Sequence, residues 1–212
     1  MLMQAATAAL LNICLLPLIL SRPLVGPRHE ISIAFVTTVT GRAGVDGSRY
    51  IREMNIRMAT EADFAPLLRL INAAFDVERF FKDEDRLDTA ELQSYFSKGN
   101  FLVMEENGEL AAAVYVERKS DRAYLGLLSV DPARQKRGLG RRLTAAAEEF
   151  AREMGARFMD LTVVNLRAEL LTIYEKLGYR VTGTAPFPAD QIPVTKPCHF
   201  ICMTKTLGRG DP

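Results

Sequence analysis

A basic loop that contains two glycines, RQKRGLGRR at residues 134–142, carries the residue types in this sequence that are best suited to binding chemistry. It lies between an apolar run that ends at Val130 and a helical pattern that begins near Gly140. Backbone N–H groups at a helix N-terminus converge on one point, where the helix dipole adds positive potential. Because Gly138 and Gly140 lack a Cβ atom, an anion can approach the main chain closely. The loop is therefore predicted to bind a pyrophosphate.

Side-chain charge is concentrated at the same place, on Lys136, Arg137, Arg141 and Arg142. Two other phosphate-binding patterns do not match this loop. A GxxxxGK[ST] loop requires Lys and a hydroxyl directly after its second glycine, and a dinucleotide fingerprint requires Gly or Ala where Leu143 stands. Taken alone, the loop is equally consistent with a solvated basic turn that only connects a strand to a helix.

The segment VDPARQKRGLGRRL at residues 130–143 resembles the acetyl-coenzyme A binding motif of the GNAT superfamily of N-acetyltransferases. That motif is Val-x-Pro, then [Arg or Gln]-x-x-Gly-x-[Gly or Ala] at the start of a helix. The positions that match it in register are Val130, Pro132, Gln135, Gly138 and Gly140. A second match follows in Asn165, Ala168 and YEKLGY at 174–179. The resemblance covers residues 55–207 and implies that acetyl-CoA is the co-substrate.

The resemblance also implies which residues hold the coenzyme. They are Leu128, Val130, Gln135, Lys136, Arg137, Gly138, Leu139, Gly140, Arg141 and Asn165. In the family, the strand before the loop separates from its neighbour, so the N–H groups at Leu128 and Val130 would be free to bind the pantetheine and the thioester oxygen. Asn165 is equally suited to capping the helix that follows it, and both roles stay open.

Tyr174 falls where the family places the tyrosine that protonates the departing coenzyme A sulfur. A phenol with a pKa of about 10 suits that role, because it faces a developing thiolate. The alternative is a core residue, since Tyr174 shares the apolar stripe of its helix with Leu170 and Leu177. The span from Asn165 to Tyr174 is longer than the family's commonest spacing.

The general base is not assigned by the sequence. The candidates by chemistry alone are Glu78, Glu117 and His199. Each also has a purely structural interpretation: Glu78 at a solvated helix end, Glu117 at a strand edge and His199 on a half-buried strand. The family selects its acceptor near positions that correspond here to 72–86 and 186–197. The expected reaction is direct attack on the thioester by a primary amine of a small molecule or peptide.

The elements that must position these residues follow a mixed order. Apolar periodicity, two capping boxes (Thr60 with Asp63, Asp88 with Glu91) and the hairpin signal Asn107-Gly108 predict the sequence of elements. That sequence is a strand, two helices, a three-strand meander, a helix, a strand, a helix and two strands, with a loop at 186–197. It predicts an α/β domain with a mixed central sheet. The resemblance implies that this domain has the GNAT fold, with a mixed, mostly antiparallel central sheet flanked by helices.

Composition limits the functions further. The formal net charge is +1, so no global field draws the chain to nucleic acid, and the basic loop lacks interleaved aromatic residues. Three cysteines, an odd number, indicate a reducing, cytoplasmic environment. Cys198 and Cys202 are predicted to lie about 13 Å apart on one strand, too far to bond. No ligand pattern for a metal is present.

The N-terminal region is predicted to be separate from the domain. Residues 1–20 are an apolar run and a candidate membrane anchor, and a poorly ordered extension is predicted to follow up to residue 53. The alternative is that the protein begins at Met54 and that residues 1–53 are a gene-model artefact or a targeting segment. Residues 54–207 form the predicted domain and 208–212 a tail. A monomer or a homodimer is expected. The alternatives are a coenzyme A binding module without catalysis, and an acyltransferase that uses another acyl-CoA or acceptor.

Overall fold

The structure, a computed structural model, describes residues 55–190 and 192–208. The candidate anchor at 1–20, the extension after it, the start at Met54 and residues 209–212 of the tail lie outside the described residues. In the described part of the chain, no helix is long and apolar enough to cross a membrane.

Seven strands within these residues form one sheet in the order β1-β2-β3-β4-β5-β7-β6. The strands are β1 (Ile56–Met58), β2 (Asn100–Glu106), β3 (Glu109–Lys119), β4 (Arg122–Val130), β5 (Phe158–Val164), β6 (Arg180–Pro186) and β7 (His199–Thr206). The helices are α1 (Phe64–Phe75), α2 (Thr89–Lys98), α3 (Leu139–Glu153) and α4 (Ala168–Lys176). Neighbouring strands are antiparallel except β4 and β5, which confirms the predicted mixed, mostly antiparallel sheet and its element order.

Helices cover both faces of the sheet because side chains alternate along the strands. On β2, Phe101 and Val103 join one buried cluster, whereas Leu102 and Met104 join the other. The first cluster takes in α1 and α2, and the second takes in α3 and α4. Burial of these two faces fixes the register of the central strands.

The predicted turn chemistry is confirmed where it is most specific. Asn107 and Gly108 have φ of 58° and 79°, as a type I′ hairpin turn requires. The Asp88 carboxylate accepts from the N–H of Glu91 at 2.7 Å, and the Glu91 carboxylate accepts from the N–H of Asp88 at 2.9 Å. The capping box at Thr60 also forms, but it opens a short 3₁₀ turn that precedes α1.

β4 contains a bulge that the sequence does not predict. Leu127 has φ of 50°, a left-handed conformation that costs a non-glycine residue about 1–3 kcal/mol. The pairing of β4 with β3 shifts at this point, between Ala113 and Tyr115. The hydroxyl of Ser129, which is fully buried, donates to the Leu127 carbonyl at 3.0 Å. A bulge bends its strand, so the residues of β4 after Leu127 run in a different direction from those before it.

β4 and β5 pair over only three residues each, Arg122–Tyr124 against Phe158–Asp160. The Arg122 guanidinium braces this paired end, because it binds the Asp160 carboxylate and lies 3.3 Å from the Thr204 hydroxyl. Beyond Tyr124 the two strands line a common opening. The central sheet is therefore split at the end where β4 runs into the basic loop.

Smaller differences from the sequence predictions lie near the C-terminus. β6 begins at Arg180, one residue later than predicted, and β7 begins at His199, so that Cys198 precedes the strand. Cys198 and Cys202 do not form a disulfide with each other. The loop predicted at 186–197 begins one residue later, because Pro186 ends β6; residues 187–190 and 192–198 contain no helix or strand.

Candidate functional site

A cleft of about 900 Å³ occupies the split between β4 and β5; its walls come from both strands, the basic loop, α4, the segment after α1 and the loop after β6. Nine of the sequence-predicted site residues line it: Leu128, Val130, Gln135, Lys136, Gly138, Leu139, Gly140, Arg141 and Tyr174. Arg137 and Asn165 do not line it. The fold thus brings most of the predicted coenzyme residues and the predicted acid to one opening.

The basic loop has the backbone of an anion-binding turn. Gly138 is the N-cap of α3 with φ of 79°, and Lys136 is also left-handed, with φ of 62°. The Arg142 N–H donates to the Gly138 carbonyl, so the N–H groups of the three residues between them have no intrahelical acceptor. A Cβ added at Gly140 would lie 3.7 Å from a Val130 methyl, so this glycine borders the end of β4. The free N–H groups suit a pyrophosphate.

The loop's cations divide into two groups. The Arg137 guanidinium donates to both oxygens of the buried Glu106 carboxylate, at 2.7 and 3.0 Å, and Arg134 binds Glu109. These two arginines therefore hold the loop against the β2–β3 hairpin. Lys136 and Arg141 line the cleft and form no ion pair with any described residue. Their charges remain available to an anion, whereas Arg137 offers chiefly its backbone.

Replacement of Gly138 with valine tests the loop assignment. No described heavy atom lies within 4 Å of a Cβ added there, so the side chain would project into the open space around the loop. We expect the affinity for acetyl-CoA to fall roughly 10-fold or more, measured by isothermal titration calorimetry. Gly108→Val is the matched control, because Gly108 has the same φ of 79° and equally open surroundings but lies at the hairpin tip. Both variants should lose about 1–2 kcal/mol of stability; equal affinities would contradict the assignment.

The end of β4 presents its N–H groups to the cleft. The Asp131 N–H donates to the Ala111 carbonyl of β3 at 3.0 Å. Because N–H groups alternate sides along a strand, those of Leu128 and Val130 point away from β3, toward the separated β5. Two backbone donors of β4 thus face the cleft.

The predicted capping role of Asn165 is wrong. Arg167, not Asn165, holds the N-cap position of α4. The Asn165 carboxamide oxygen accepts from the His199 N–H at 2.9 Å, and its own N–H donates to the His199 carbonyl at 3.0 Å. These bonds tie the end of β5 to the start of β7. The capping prediction fails because three residues, and not one, separate β5 from α4.

Tyr174 lies on the cleft-facing side of α4, only 8% exposed, with its ring edge-on to Tyr179 at 5.7 Å. Burial raises the pKa of the Tyr174 phenol, and Tyr124 adds to that effect. The hydroxyl therefore keeps its proton at neutral pH. The core contact and the cleft position are both present, so the two predicted interpretations of this residue are compatible.

The structure separates the three candidate bases. Glu78 lines the cleft, and its side chain is only 13% exposed, so the prediction of a solvated helix end is wrong. Burial raises the pKa of this carboxyl, against the opposing charges of Arg86, Arg167 and Lys82. Glu117 and His199 do not line the cleft.

The two segments predicted to select the acceptor meet at the cleft. The Thr195 N–H donates to the Phe81 carbonyl at 2.8 Å, which joins the loop after β6 to the segment after α1. Phe81 and Phe187 pack edge to face with centroids 6.5 Å apart, and Phe187 stacks on Phe200 at 5.0 Å. These aromatic side chains line the same cleft as the basic loop. Among the described residues, no group of His, Cys, Asp or Glu is arranged to hold a metal ion.

Comparison with known proteins gives a consistent result. The acetyltransferase (GNAT) domain family matches residues 73–197. Streptothricin acetyltransferase of Streptomyces lavendulae is 31% identical over 163 residues, which cover 74% of this chain and 85% of that protein. The L-methionine sulfoximine/L-methionine sulfone acetyltransferase of Salmonella typhimurium is 27% identical over 145 residues, covering 63% and 84%.

Solved structures share the fold. The ribosomal-protein-S18-alanine N-acetyltransferase of Escherichia coli superposes with a TM-score of 0.60 at 19% identity, covering 75% of this chain and 99% of that one. The Salmonella typhimurium protein yncA, solved with its cofactor acetyl-CoA, gives a TM-score of 0.59 at 25% identity and covers 75% and 96%.

Proposed function

This chain belongs to the GNAT superfamily of acetyltransferases, with acetyl-CoA as its co-substrate, and on that basis we propose that it acetylates the primary amine of a small molecule by direct attack. The observation that carries the proposal is the shared cleft. Tyr174, Glu78 and the coenzyme-binding loop all line it. An acid, a base and an anion site therefore border one space, as acyl transfer without an enzyme-bound acyl group requires.

The proposed coenzyme contacts divide by chemistry. The N–H groups at the start of α3, with Lys136 and Arg141, bind the pyrophosphate. The backbone of Gln135, Gly138 and Leu139 completes the turn around it. The N–H groups of Leu128 and Val130 bind the pantetheine and donate to the thioester oxygen. Arg137 positions the loop through Glu106, and Asn165 acts through the β5–β7 connection.

The proposed reaction balances its protons within the cleft. The neutral amine nitrogen forms a bond to the thioester carbonyl carbon and gives up a proton to the Glu78 carboxylate. The carbon–sulfur bond then breaks, and the sulfur takes the proton of the Tyr174 hydroxyl. The proton held on Glu78 returns to Tyr174 through solvent, so that amine and thioester yield amide and thiol with no net proton change.

A small-molecule acceptor is supported by the relatives' names and by the shape of the cleft. Two of the similar acetyltransferases are named for small molecules, streptothricin and L-methionine sulfoximine. The acceptor side of the cleft is walled by Phe81, Phe187 and Phe200. A walled pocket of this kind encloses a compact molecule better than an extended peptide.

The test combines a binding and a turnover measurement. Acetyl-CoA is expected to raise the thermal midpoint by mass action, and oligonucleotides are not. Thiol release should then depend on an added amine, with a matching acetylated product seen by mass spectrometry. Stabilisation by acetyl-CoA without amine-dependent thiol release, across amines, amino acids and polyamines, would instead favour a coenzyme A binding module.

A further inference from the structure

We infer that the acceptor is an α-amino acid with an apolar side chain, whose carboxylate is held by Arg86 and Lys82 while its amine faces Glu78. This inference rests on the proposed function and names its substrate class. It starts from the charges in the acceptor half of the cleft, defined here as the part lined by Phe75, Glu78, Phe81, Lys82, Arg86, Arg167, Phe187 and Ile192.

Lys82 and Arg86 have no anionic partner among the residues that the structure describes. Lys82 is only 8% exposed, and its ammonium donates to the Asp85 carbonyl at 2.7 Å, which uses one of its three N–H groups. The Arg86 guanidinium lies over the Phe75 ring, 5.2 Å from its centroid. Neither side chain forms an ion pair with a residue in the described part of the chain. A buried ammonium in this state is costly unless an anion joins it.

The two cations also act on each other. Burial and the charge of Arg86 lower the pKa of Lys82, and Glu91, Glu84 and Glu78 oppose this only from a distance. Both cations line the same cleft, so their charges repel, and a bound carboxylate would offset that repulsion. Arg86 also offers the planar fork that matches a carboxylate.

The third cation of this half of the cleft, Arg167, already binds carboxylates of the protein. Arg167 donates to Glu169 at 2.5 Å and to Glu78 at 3.3 Å, so its charge is offset within the protein. Glu78 therefore remains the acidic group that an ammonium would meet beside Arg86 and Lys82. An α-amino acid carries both charges one carbon apart, whereas a polyamine would place its second positive charge near the two free cations.

The remaining wall selects the side chain. Phe75, Phe81, Phe187 and Ile192 present apolar surface to the same half of the cleft. Phe81 is 1% exposed and fixed by its edge-to-face contact with Phe187. An apolar amino-acid side chain gains free energy by leaving water here, while a charged one would lose its hydration.

The experiment compares apolar L-amino acids with the same molecules lacking the carboxylate: leucine with 3-methylbutylamine, and phenylalanine with phenethylamine. We expect kcat/KM to be about 10- to 100-fold higher for the amino acids, the effect of a charge-assisted hydrogen bond. Spermidine should be poorer still. Equal or better use of the decarboxylated amines, or of spermidine, would overturn the inference and leave the proposed N-acetyltransferase intact. Absence of turnover with every amine would overturn both.

Substitution assigns the effect to Arg86. Arg86→Gln keeps a polar side chain of similar reach but removes the charge, so KM for the amino acids should rise about 10-fold with kcat nearly unchanged. The decarboxylated amines should show no such change. Arg69→Gln is the matched control, because Arg69 is exposed on α1 and does not line the cleft. An unchanged KM in Arg86→Gln would remove Arg86 from carboxylate binding.

Discussion

Replacement of Tyr174 with phenylalanine is expected to lower kcat by about 100-fold or more, with the affinity for acetyl-CoA nearly unchanged. The change removes one hydroxyl from a residue that is 8% exposed and lines the cleft. Since burial keeps the phenol protonated at neutral pH, the hydroxyl can give a proton to sulfur as the thiolate leaves. The measurements are thiol release at saturating substrates and calorimetric titration with acetyl-CoA.

Tyr179→Phe provides the control for this substitution. Tyr179 is 1% exposed, its ring packs edge-on against that of Tyr174, and it does not line the cleft. Both substitutions remove a buried phenolic oxygen from the same aromatic pair. A fall in kcat confined to Tyr174→Phe would show a role in chemistry. Equal rates in the two variants would remove Tyr174 from the mechanism and leave it as a core residue.

The parts of the fold that the sequence predicted are those set by local chemistry. The Asn107-Gly108 turn needs positive φ at both residues, and the Asp88–Glu91 capping box needs only residues three apart. The sequence predicted the start of α3 because Gly138 and Gly140 stand directly before a run of apolar residues at helical spacing. Each of these signals acts over a few residues, so no tertiary information is required to read it.

The bulge in β4 and the separation of β4 from β5 depend on tertiary structure. Leu127 has no preference for a left-handed conformation, and only packing holds it at φ of 50°. Nothing in the sequence of β5 marks Asp160 as the last residue paired with β4. The resemblance to a known family supplied the expectation of a splayed strand, whereas residue patterns alone predicted an ordinary central strand.

The charges of the site were also hidden from the sequence. The five basic residues of the loop look alike as potential phosphate ligands, yet Glu106 of β2 binds the Arg137 guanidinium. Glu78 follows α1 at a position that is typical of a solvated helix end, but the segment folds back over the cleft. The signal that was present in the sequence was the aromatic pair Phe80-Phe81 just after Glu78, since two adjacent aromatic residues seldom both face solvent.

Glu78→Gln is expected to reduce kcat by about 100-fold or more while leaving the protein at least as stable as the wild type. The loss of activity follows from removal of the only one of the three candidate bases that lines the cleft. Glu117→Gln and His199→Gln remove the other two and should keep wild-type rates. Glu117 accepts from the Tyr115 hydroxyl at 3.2 Å on a different part of the sheet, and His199 is exposed at the start of β7.

The pH dependence separates a base from a merely structural carboxylate. Arg86, Lys82 and Arg167 face Glu78, with the Cys198 thiol also within electrostatic range, and burial outweighs the three cations to raise the pKa of Glu78. Wild-type kcat should therefore rise with pH as Glu78 loses its proton, with a midpoint above the ordinary value of a glutamate. This acidic limb should disappear in Glu78→Gln. An unchanged limb in the variant would assign it to another group.

Stability should move in the opposite direction from activity. Because the pKa of Glu78 is raised in the folded state, its contribution to stability is fully present at pH below the unfolded pKa and is lost as pH rises through the folded pKa. The thermal midpoint of Glu78→Gln relative to wild type should therefore increase with pH across that window. If the carboxylate served only to bind Arg167, the thermal midpoint of Glu78→Gln relative to wild type would instead fall as pH rises. Loss of the ion pair would then weaken the fold most at neutral pH. Retention of a destabilising buried acid at the cleft wall is the pattern expected of a group selected for catalysis.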